Sequence, residues 1–230
     1  MTCKDTHINE QTWDAIAESF DKTRQKPWDQ CIDFIKKLPE EYTVVDIGCG
    51  NGRHLFPCAK QCERTIGVDI SRKLLRIVNN KIRKEHLNKI VLIHSDMINI
   101  PIKDESVDSV MCIASIHNIK GKYQRIQSLN EIFRILKKNG IALISVWSRW
   151  QDRYRMHFLK QLIKREKEFG DIDIYWRQNK LNIPRFYHLY SKGEFLNDLT
   201  KANFKIQQIQ SVKLHSKLTA DNYFAEVKKE

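Results

Sequence analysis

The segment Val44-Val45-Asp46-Ile47-Gly48-Cys49-Gly50-Asn51-Gly52 constrains what this chain can fold into more than any other. An apolar run that ends in an acid and meets Gly-x-Gly-x-Gly reads as a buried strand entering a tight turn. There the missing Cβ atoms let the backbone bend sharply and let a ligand approach it. A nucleotide-type ligand is expected. The spacing narrows the choice, because a dinucleotide fingerprint places a third glycine so that a helix N-terminus seats under a pyrophosphate. Gly50-Asn51-Gly52 leaves no such pattern, and Asp46 before the turn suits a cationic, zwitterionic ligand better than a diphosphate. Read alone, the turn is equally compatible with a plain strand-to-helix connection.

Two later segments repeat the pattern. Thr65-Ile66-Gly67-Val68-Asp69 ends in a second acid, followed by Ile70 and the helix-cap candidate Ser71, and Ile90-Val91-Leu92-Ile93-His94 leads into Ser95-Asp96-Met97. An Asp at the end of a second strand can accept hydrogen bonds from both ribose hydroxyls. Asp96 and Met97 offer an acceptor for an adenine amino group and a flat thioether for its ring. Open α/β sheets bind ligands at the carboxyl ends of their strands, so three acids at three successive ends frame one pocket. S-adenosylmethionine carries an ammonium and a sulfonium, and Asp-x-Gly-x-Gly-x-Gly resembles motif I of the class I methyltransferases. The expected cofactor set is Asp46, Gly48, Gly50, Asn51, Asp69, Ile70, Asp96, Met97 and Ile113.

Periodicity orders the rest. Trp13, Ile16, Ala17 and Phe20 recur at helical spacing, and Trp28, Cys31, Ile32, Ile35 and Leu38 do so again from Pro27, which is suited to a helix start. These helices form an N-terminal segment over residues 1–40. A methyltransferase domain follows over 41–230, with strands at 42–47, 64–69, 90–94, 107–113 and 141–147 between helices at about 54–62, 72–86 and 122–136. That alternation predicts a doubly wound, mostly parallel sheet, and the motif I resemblance implies a class I methyltransferase Rossmann-like fold with seven strands. Lys137-Lys138-Asn139-Gly140 reads as a helix stop. Residues 149–183 read as a basic insertion, a helix from Arg149 to Lys167 and then an aromatic, basic loop to Pro184. Ser191-Lys192-Gly193-Glu194 is a capping-box pattern, with strands near 203–212 and 221–228 to close the sheet.

Composition excludes several classes. No window approaches the roughly 18 apolar residues of a membrane span, and the polar start lacks a signal peptide's apolar run, so no membrane partner and a cytoplasmic location are expected. The six cysteines show neither zinc nor disulfide-framework spacing, which predicts reduced thiols and no metal. The net charge of +12 is uneven: Met1 to Val110 carries 17 Lys/Arg against 17 Asp/Glu, and Met111 to Glu230 carries 23 against 11. A basic second half suits a polyanionic substrate and equally a solvated, lysine-rich face.

Three segments mix cations or His with aromatics. The fourth strand runs into Cys112-Ile113-Ala114-Ser115-Ile116-His117-Asn118, and Lys22-Thr23-Arg24-Gln25-Lys26-Pro27-Trp28 and Arg185-Phe186-Tyr187-His188 fall in expected loops. Such mixtures suit anion recognition and base stacking, or ordinary loops with snorkelling side chains. Trp13-Asp14-x-Ile16-Ala17 with Phe20-x-x-Thr23-Arg24-x-x-x-Trp28, the glycine turn, Gly67-Val68-Asp69-Ile70-Ser71, Ile113-Ala114-Ser115-Ile116-His117, Ala142-Leu143-Ile144-Ser145-Val146-Trp147 and Arg185-Phe186-Tyr187-His188-Leu189-Tyr190 together resemble the tRNA wobble-uridine carboxymethyl methyltransferases. That family includes the methyltransferase domain of the tRNA-modifying AlkB homologue. The resemblance implies esterification of 5-carboxymethyluridine at tRNA position 34 to 5-methoxycarbonylmethyluridine. It also implies a heterodimer with a small zinc-binding activator subunit, for which Val91, Ile93 and Met97-Ile98 offer an exposed sheet edge.

A carboxymethyl group is ionised at neutral pH, with a pKa near 4, so its attack needs no general base. Arg24, His117, Arg185 and His188 are expected to bind and orient it, and Lys22, Trp28, Asn118, Trp147 and Tyr187 to hold the substrate. Arg24 serves equally for the carboxylate of the cofactor's methionine. Competing readings are a small-molecule class I methyltransferase of the quinone-biosynthetic kind, with an apolar pocket, and a noncatalytic subunit of the same fold.

Overall fold

The computed structural model describes residues 3–161 and 168–230. Helices α1 (Cys3–Thr23) and α2 (Asp29–Ile35) precede β1 (Thr43–Ile47), α3 (Leu55–Gln61), β2 (Arg64–Asp69), α4 (Arg72–Glu85), β3 (Ile90–His94) and β4 (Val107–Ile113). After a short 3-10 turn at Ile116–Asn118 come α5 (Lys122–Ile135), β5 (Leu136–Trp147), α6 (Arg155–Gln161), β6 (Asp171–Trp176), β7 (Ile183–His188), α7 (Lys192–Lys201), β8 (Lys205–Val212) and β9 (Asn222–Lys228).

Seven strands form one sheet in the order β3-β2-β1-β4-β5-β9-β8. The first five are parallel, and β9 runs antiparallel to both β5 and β8. The order reverses between β1 and β4, which opens a crevice at their carboxyl ends. Both faces are covered: Val45, Ile47, Val110, Cys112 and Ile144 pack with α5 and α7 residues on one side, and Val44, Met111 and Leu143 pack with α2 and α3 residues on the other. Strands buried on both faces read as continuous apolar runs, and truncating one such residue to Ala costs about 2–5 kcal/mol.

Caps tie the helices down. Ser71 accepts the Leu74 N–H at 3.1 Å, and Asp14 of α1 accepts the Ser71 hydroxyl at 2.6 Å and the Lys73 N–H at 3.0 Å. The expected capping box is present at Ser191 and Glu194. Asp14 thereby fixes α1 to the start of α4, at the carboxyl end of β2.

Four expectations need correction. Trp28 is the N-cap of α2, so Pro27 stands outside the helix and not in its first turn. α5 ends at Ile135, before the expected stop: Leu136 already pairs with Val107, and the register slips so that Ser109 meets Ile141. Asn139, at φ +66, supplies its left-handed turn to that irregularity. The described helix of the insertion is confined to α6, and residues 162–167 lie outside the described residues. The expected loop to Pro184 is instead largely a hairpin of β6 and β7, because Ile172, Ile174 and Trp176 alternate with polar residues at period two.

The five described cysteines are free and buried, where burial pushes their thiols up and makes them inert. No helix among the described residues is long and apolar enough to cross a membrane.

Candidate active site

The crevice holds a cavity of about 980 Å³. Its first wall is the turn after β1, where Gly48, Gly50 and Gly52 take φ values of +70, +56 and +83, a region L side chains avoid. The Gly48 N–H bonds the Val68 carbonyl at 2.7 Å, and a Cβ on Gly48 would lie 2.2 Å from Ser115 Oγ. The turn is therefore clamped between β2 and the loop after β4. Asp69 holds it from below: Oδ2 accepts the Gly50 N–H and Oδ1 the Ser71 N–H, both at 2.8 Å. Burial pushes the Asp69 carboxyl up and these N–H bonds pull it back. Each oxygen keeps a further lone pair, so the carboxylate can still accept two ribose hydroxyls.

Gly48, Gly50, Asn51, Asp69, Ile70, Asp96, Met97 and Ile113 all line this cavity, and Asp96 Oδ1 also accepts the Ile98 N–H at 3.2 Å. Asn51 Nδ2 donates to Asp21 Oδ1 and to the Arg24 carbonyl, both at 2.9 Å. Asp46 is placed elsewhere. It is buried outside the cavity lining, where its charge acts on Cys31 of α2 and Cys58 of α3. Burial and the nearby Asp69 push it up to about 7, against the pull of Arg53. A cradle of open glycine backbone, an acid on β2 and a thioether wall fits an adenosyl ligand.

The opposite end of the cavity is aromatic and cationic. Trp147 and Tyr187 stack at 5.0 Å between ring centroids and 19° between planes, and His117 stacks on Tyr187 at 5.3 Å. His117 Nδ1 accepts the Trp147 backbone N–H at 3.1 Å, which requires the ring proton on Nε2. Burial, with Arg185 and His188 nearby, lowers its pKa to about 3. His117 is thus a neutral N–H donor, and its Nε2 has no partner among the described residues.

Arg185 is buried beside three rings, Trp176 at 4.8 Å, Tyr187 at 5.0 Å and Trp13 at 5.6 Å. It makes no ion pair among the described residues, and burial lowers its pKa, as does Arg24. The Arg24 guanidinium lies 5.1 Å from the Trp176 ring and donates to the Thr23 carbonyl at 3.1 Å. The Arg24 carbonyl takes the Asn51 amide beside the glycine turn while its guanidinium lies by Trp176, so it reaches both ends of the cavity. Trp28 and Asn118 line the cavity as well.

Two more expected site residues, besides Asp46, lie outside it. Lys22 is exposed and absent from the lining. His188 is fully buried away from the cavity, bonded to Asp171 at 2.7 Å and Glu194 at 2.9 Å. Along β7, Arg185 and Tyr187 share one face and His188 takes the other, so one contiguous motif splits between two environments.

Sequence reasoning also missed residues. Arg53, which lies 4.7 Å over the Trp28 ring, directly follows the glycine turn and was legible from that position. Trp176 was marked by its alternation with Ile172 and Ile174. Gln151 and Asn222 line the cavity with no signal in their own neighbourhoods.

A family model described as a methyltransferase domain matches residues 45–144. The tRNA (carboxymethyluridine(34)-5-O)-methyltransferase of Schizosaccharomyces pombe is 33% identical over 205 residues, covering 83% of this chain and 85% of that protein. A SAM-dependent methyltransferase from Methanosarcina mazei superposes with a TM-score of 0.75 at 19% identity, over 89% of this chain and 98% of its own. A chain from the Haloferax volcanii complex of the Trm112 methyltransferase activator with a putative methyltransferase gives 0.68 at 16%, over 97% and 96%. The cavity at the switch point, the glycine turn and these likenesses agree: the chain is an S-adenosylmethionine-dependent class I methyltransferase and belongs to the tRNA (carboxymethyluridine(34)-5-O)-methyltransferase family.

Proposed function

We propose that this enzyme esterifies the carboxylate of 5-carboxymethyluridine at the wobble position of tRNA, in the cytoplasm. S-adenosylmethionine would supply a sulfonium-bound methyl group, which passes to an acceptor oxygen as the C–S bond breaks and S-adenosylhomocysteine leaves. The protein's part is to hold both reactants. Asp69 accepts the ribose hydroxyls, the glycine turn lets the backbone approach the methionine portion, and Asp96 with Met97 hold the adenine. Arg185 pairs with the acceptor carboxylate, His117 Nε2–H donates to it, and the Trp147–Tyr187 stack flanks the base. Arg24 bridges the two ends and steadies whichever carboxylate lies nearer. Since the acceptor is already ionised, orientation rather than proton removal does the work, which can supply several kcal/mol.

One observation carries this reading: Arg185 is a buried guanidinium, in an aromatic chamber, without a counter-ion among the described residues. A buried charge is costly unless paired, and a substrate carboxylate is the missing partner. An apolar small-molecule pocket has no use for it. The test is methyl transfer to tRNA carrying 5-carboxymethyluridine and to the same tRNA carrying its carbamoylmethyl amide. Only the acid should react, and robust methylation of the amide or of unmodified uridine would refute the assignment.

The heterodimer belongs to the same proposal. β3 is a sheet edge whose Val91 is 52% exposed, and an uncovered apolar edge invites strand pairing. A small zinc-binding activator seated there would bury it. Exposed cations on the second half, among them Arg153 at the cavity mouth and Lys160 on α6, would meet tRNA phosphates. Arg149 is excluded from that role because it is buried and paired with Glu194.

A further inference from the structure

Buried polar atoms without partners are few in folded proteins, and each asks for an explanation. In the wall of this cavity Asn222 Oδ1 and Gln151 Nε2 are two of them, one acceptor and one donor. Neither takes part in the cofactor cradle or in the carboxylate set. Asn222 opens β9 and pairs in register with Trp147 of β5, so it lies beside the ring that flanks the acceptor. It shares a strand face with Phe224, whose ring meets Trp28 edge-on at 5.6 Å between centroids. That face therefore looks toward the cavity. Gln151 sits in the turn after β5, where its carbonyl takes the Tyr154 N–H at 2.9 Å and the Arg155 N–H at 3.0 Å. Its backbone is fixed while its side-chain amide nitrogen is left to find a partner.

A uracil ring presents what these groups lack. Its N3–H is a donor flanked by two carbonyl acceptors, so an Asn carbonyl and a Gln amide N–H can take adjacent positions on that edge. We propose that Asn222 and Gln151 hold the Watson–Crick edge of the acceptor base, Asn222 taking N3–H and Gln151 giving to a neighbouring carbonyl. The edge opposite position 5 is thereby anchored while the 5-substituent reaches Arg185. Sites built to hydrogen-bond a particular group reject an analogue that lacks it far more strongly than apolar pockets do. The inference rests on the carboxymethyluridine reading, because it takes that base as the occupant.

The test compares tRNA carrying 5-carboxymethyluridine with tRNA carrying its N3-methyl derivative, using protein coexpressed with its activator. Wild-type enzyme should lose at least about thirtyfold in kcat/KM on the N3-methyl acceptor. Asn222→Ala should lose about tenfold on the normal acceptor and then treat both within about threefold, since the truncated side chain removes the lost bond and makes room for the methyl. Gln151→Ala should lose a similar factor on the normal acceptor, and calorimetry should find cofactor affinity unchanged in both variants. Equal use of the two acceptors by wild-type enzyme, or wild-type kcat/KM in both variants, would overturn the inference and leave the carboxymethyluridine reading standing. Failure of wild-type enzyme on 5-carboxymethyluridine itself would instead sink that reading, and this inference with it.

Discussion

Replacing Arg185 with Met separates binding chemistry from stability, because the two should move in opposite directions. The guanidinium is buried, faces Trp13, Trp176 and Tyr187, and has no carboxylate partner among the described residues. Burial lowers its pKa, so the folded state carries a charge that it would be more stable without. Cation–π contacts return only about 0.5–2 kcal/mol, and Met fills a similar length without a charge. The variant should therefore melt at the wild-type temperature or above it, whereas core substitutions usually destabilise. Activity should fall. A guanidinium fork gives a carboxylate two charge-assisted bonds worth about 1.5–3 kcal/mol each. With Arg24 in the same cavity offsetting part of that, a net loss of about 3 kcal/mol corresponds to roughly 150-fold in kcat/KM. Single-turnover transfer of labelled methyl to tRNA, beside a thermal melt, reads both quantities. A variant that unfolds, or that melts normally and loses less than tenfold, would refute the reasoning. Arg185→Lys should fall between, since a point charge cannot fix the carboxylate plane.

Gly48→Ala should abolish cofactor binding in a calorimeter, because φ +70 costs roughly 1–2 kcal/mol for a residue with a Cβ and that Cβ would lie 2.2 Å from Ser115 Oγ. Gly193→Ala, with nothing within 4 Å, is the silent control. The single-turnover rate should be flat from about pH 6.5 to 9, since the acceptor ionises near 4 and His117, held near 3, has no charge to lose there. Burial lowers the pKa of His188, but hydrogen bonds to Asp171 and Glu194 outweigh it and raise the net value. Its stabilisation is then complete below about pH 6.5 and lost as pH rises through the raised folded value, so melting curves of His188→Gln should show a flatter pH dependence than wild type. Val91→Asp should block heterodimer formation, read by size-exclusion chromatography of the coexpressed pair, by placing a charge on the β3 edge.

Much of the fold was legible because buried parallel strands are uninterrupted apolar runs. β2, β3 and β4 match the residues expected from Thr65, Ile90 and Val107 to within a residue. β7 was not legible, since a strand covering a cavity carries cations and aromatics that read as loop, whereas β6 carries the period-two alternation of Ile172, Ile174 and Trp176. That the glycine turn, Asp69 and Asp96 line one cavity was legible because glycine spacing and strand-terminal acids are local signals, although the burial of Asp46 outside that lining is a tertiary fact. The acceptor end resisted for the same reason. The protonation of His117 depends on a backbone N–H thirty residues away, and Asn222 reaches the cavity only because β9 pairs with β5.

On the proposed function, the division of cations into paired and unpaired ones accounts for how one cavity both takes and releases its substrate. Arg125, Arg149 and His188 are ion-paired internally with Glu168, Glu194 and Asp171, and the His188–Glu194 contact fastens β7 to α7. Arg185 and Arg24 have no ion pair among the described residues, and both look into the cavity. β7 alternates between the two sets, so moving its register by one residue would exchange a structural ion pair for a binding site. In the proposed reaction an anionic acceptor entering the chamber would supply the charge that Arg185 lacks among the described residues. Esterification then removes that charge. A methyl ester still accepts hydrogen bonds but no longer pairs with a guanidinium, and charge-assisted bonds are about twice as strong as neutral ones. On that reading the contact that draws the acid in is weakened by the reaction itself, and the product would leave a chamber returned to its unpaired state.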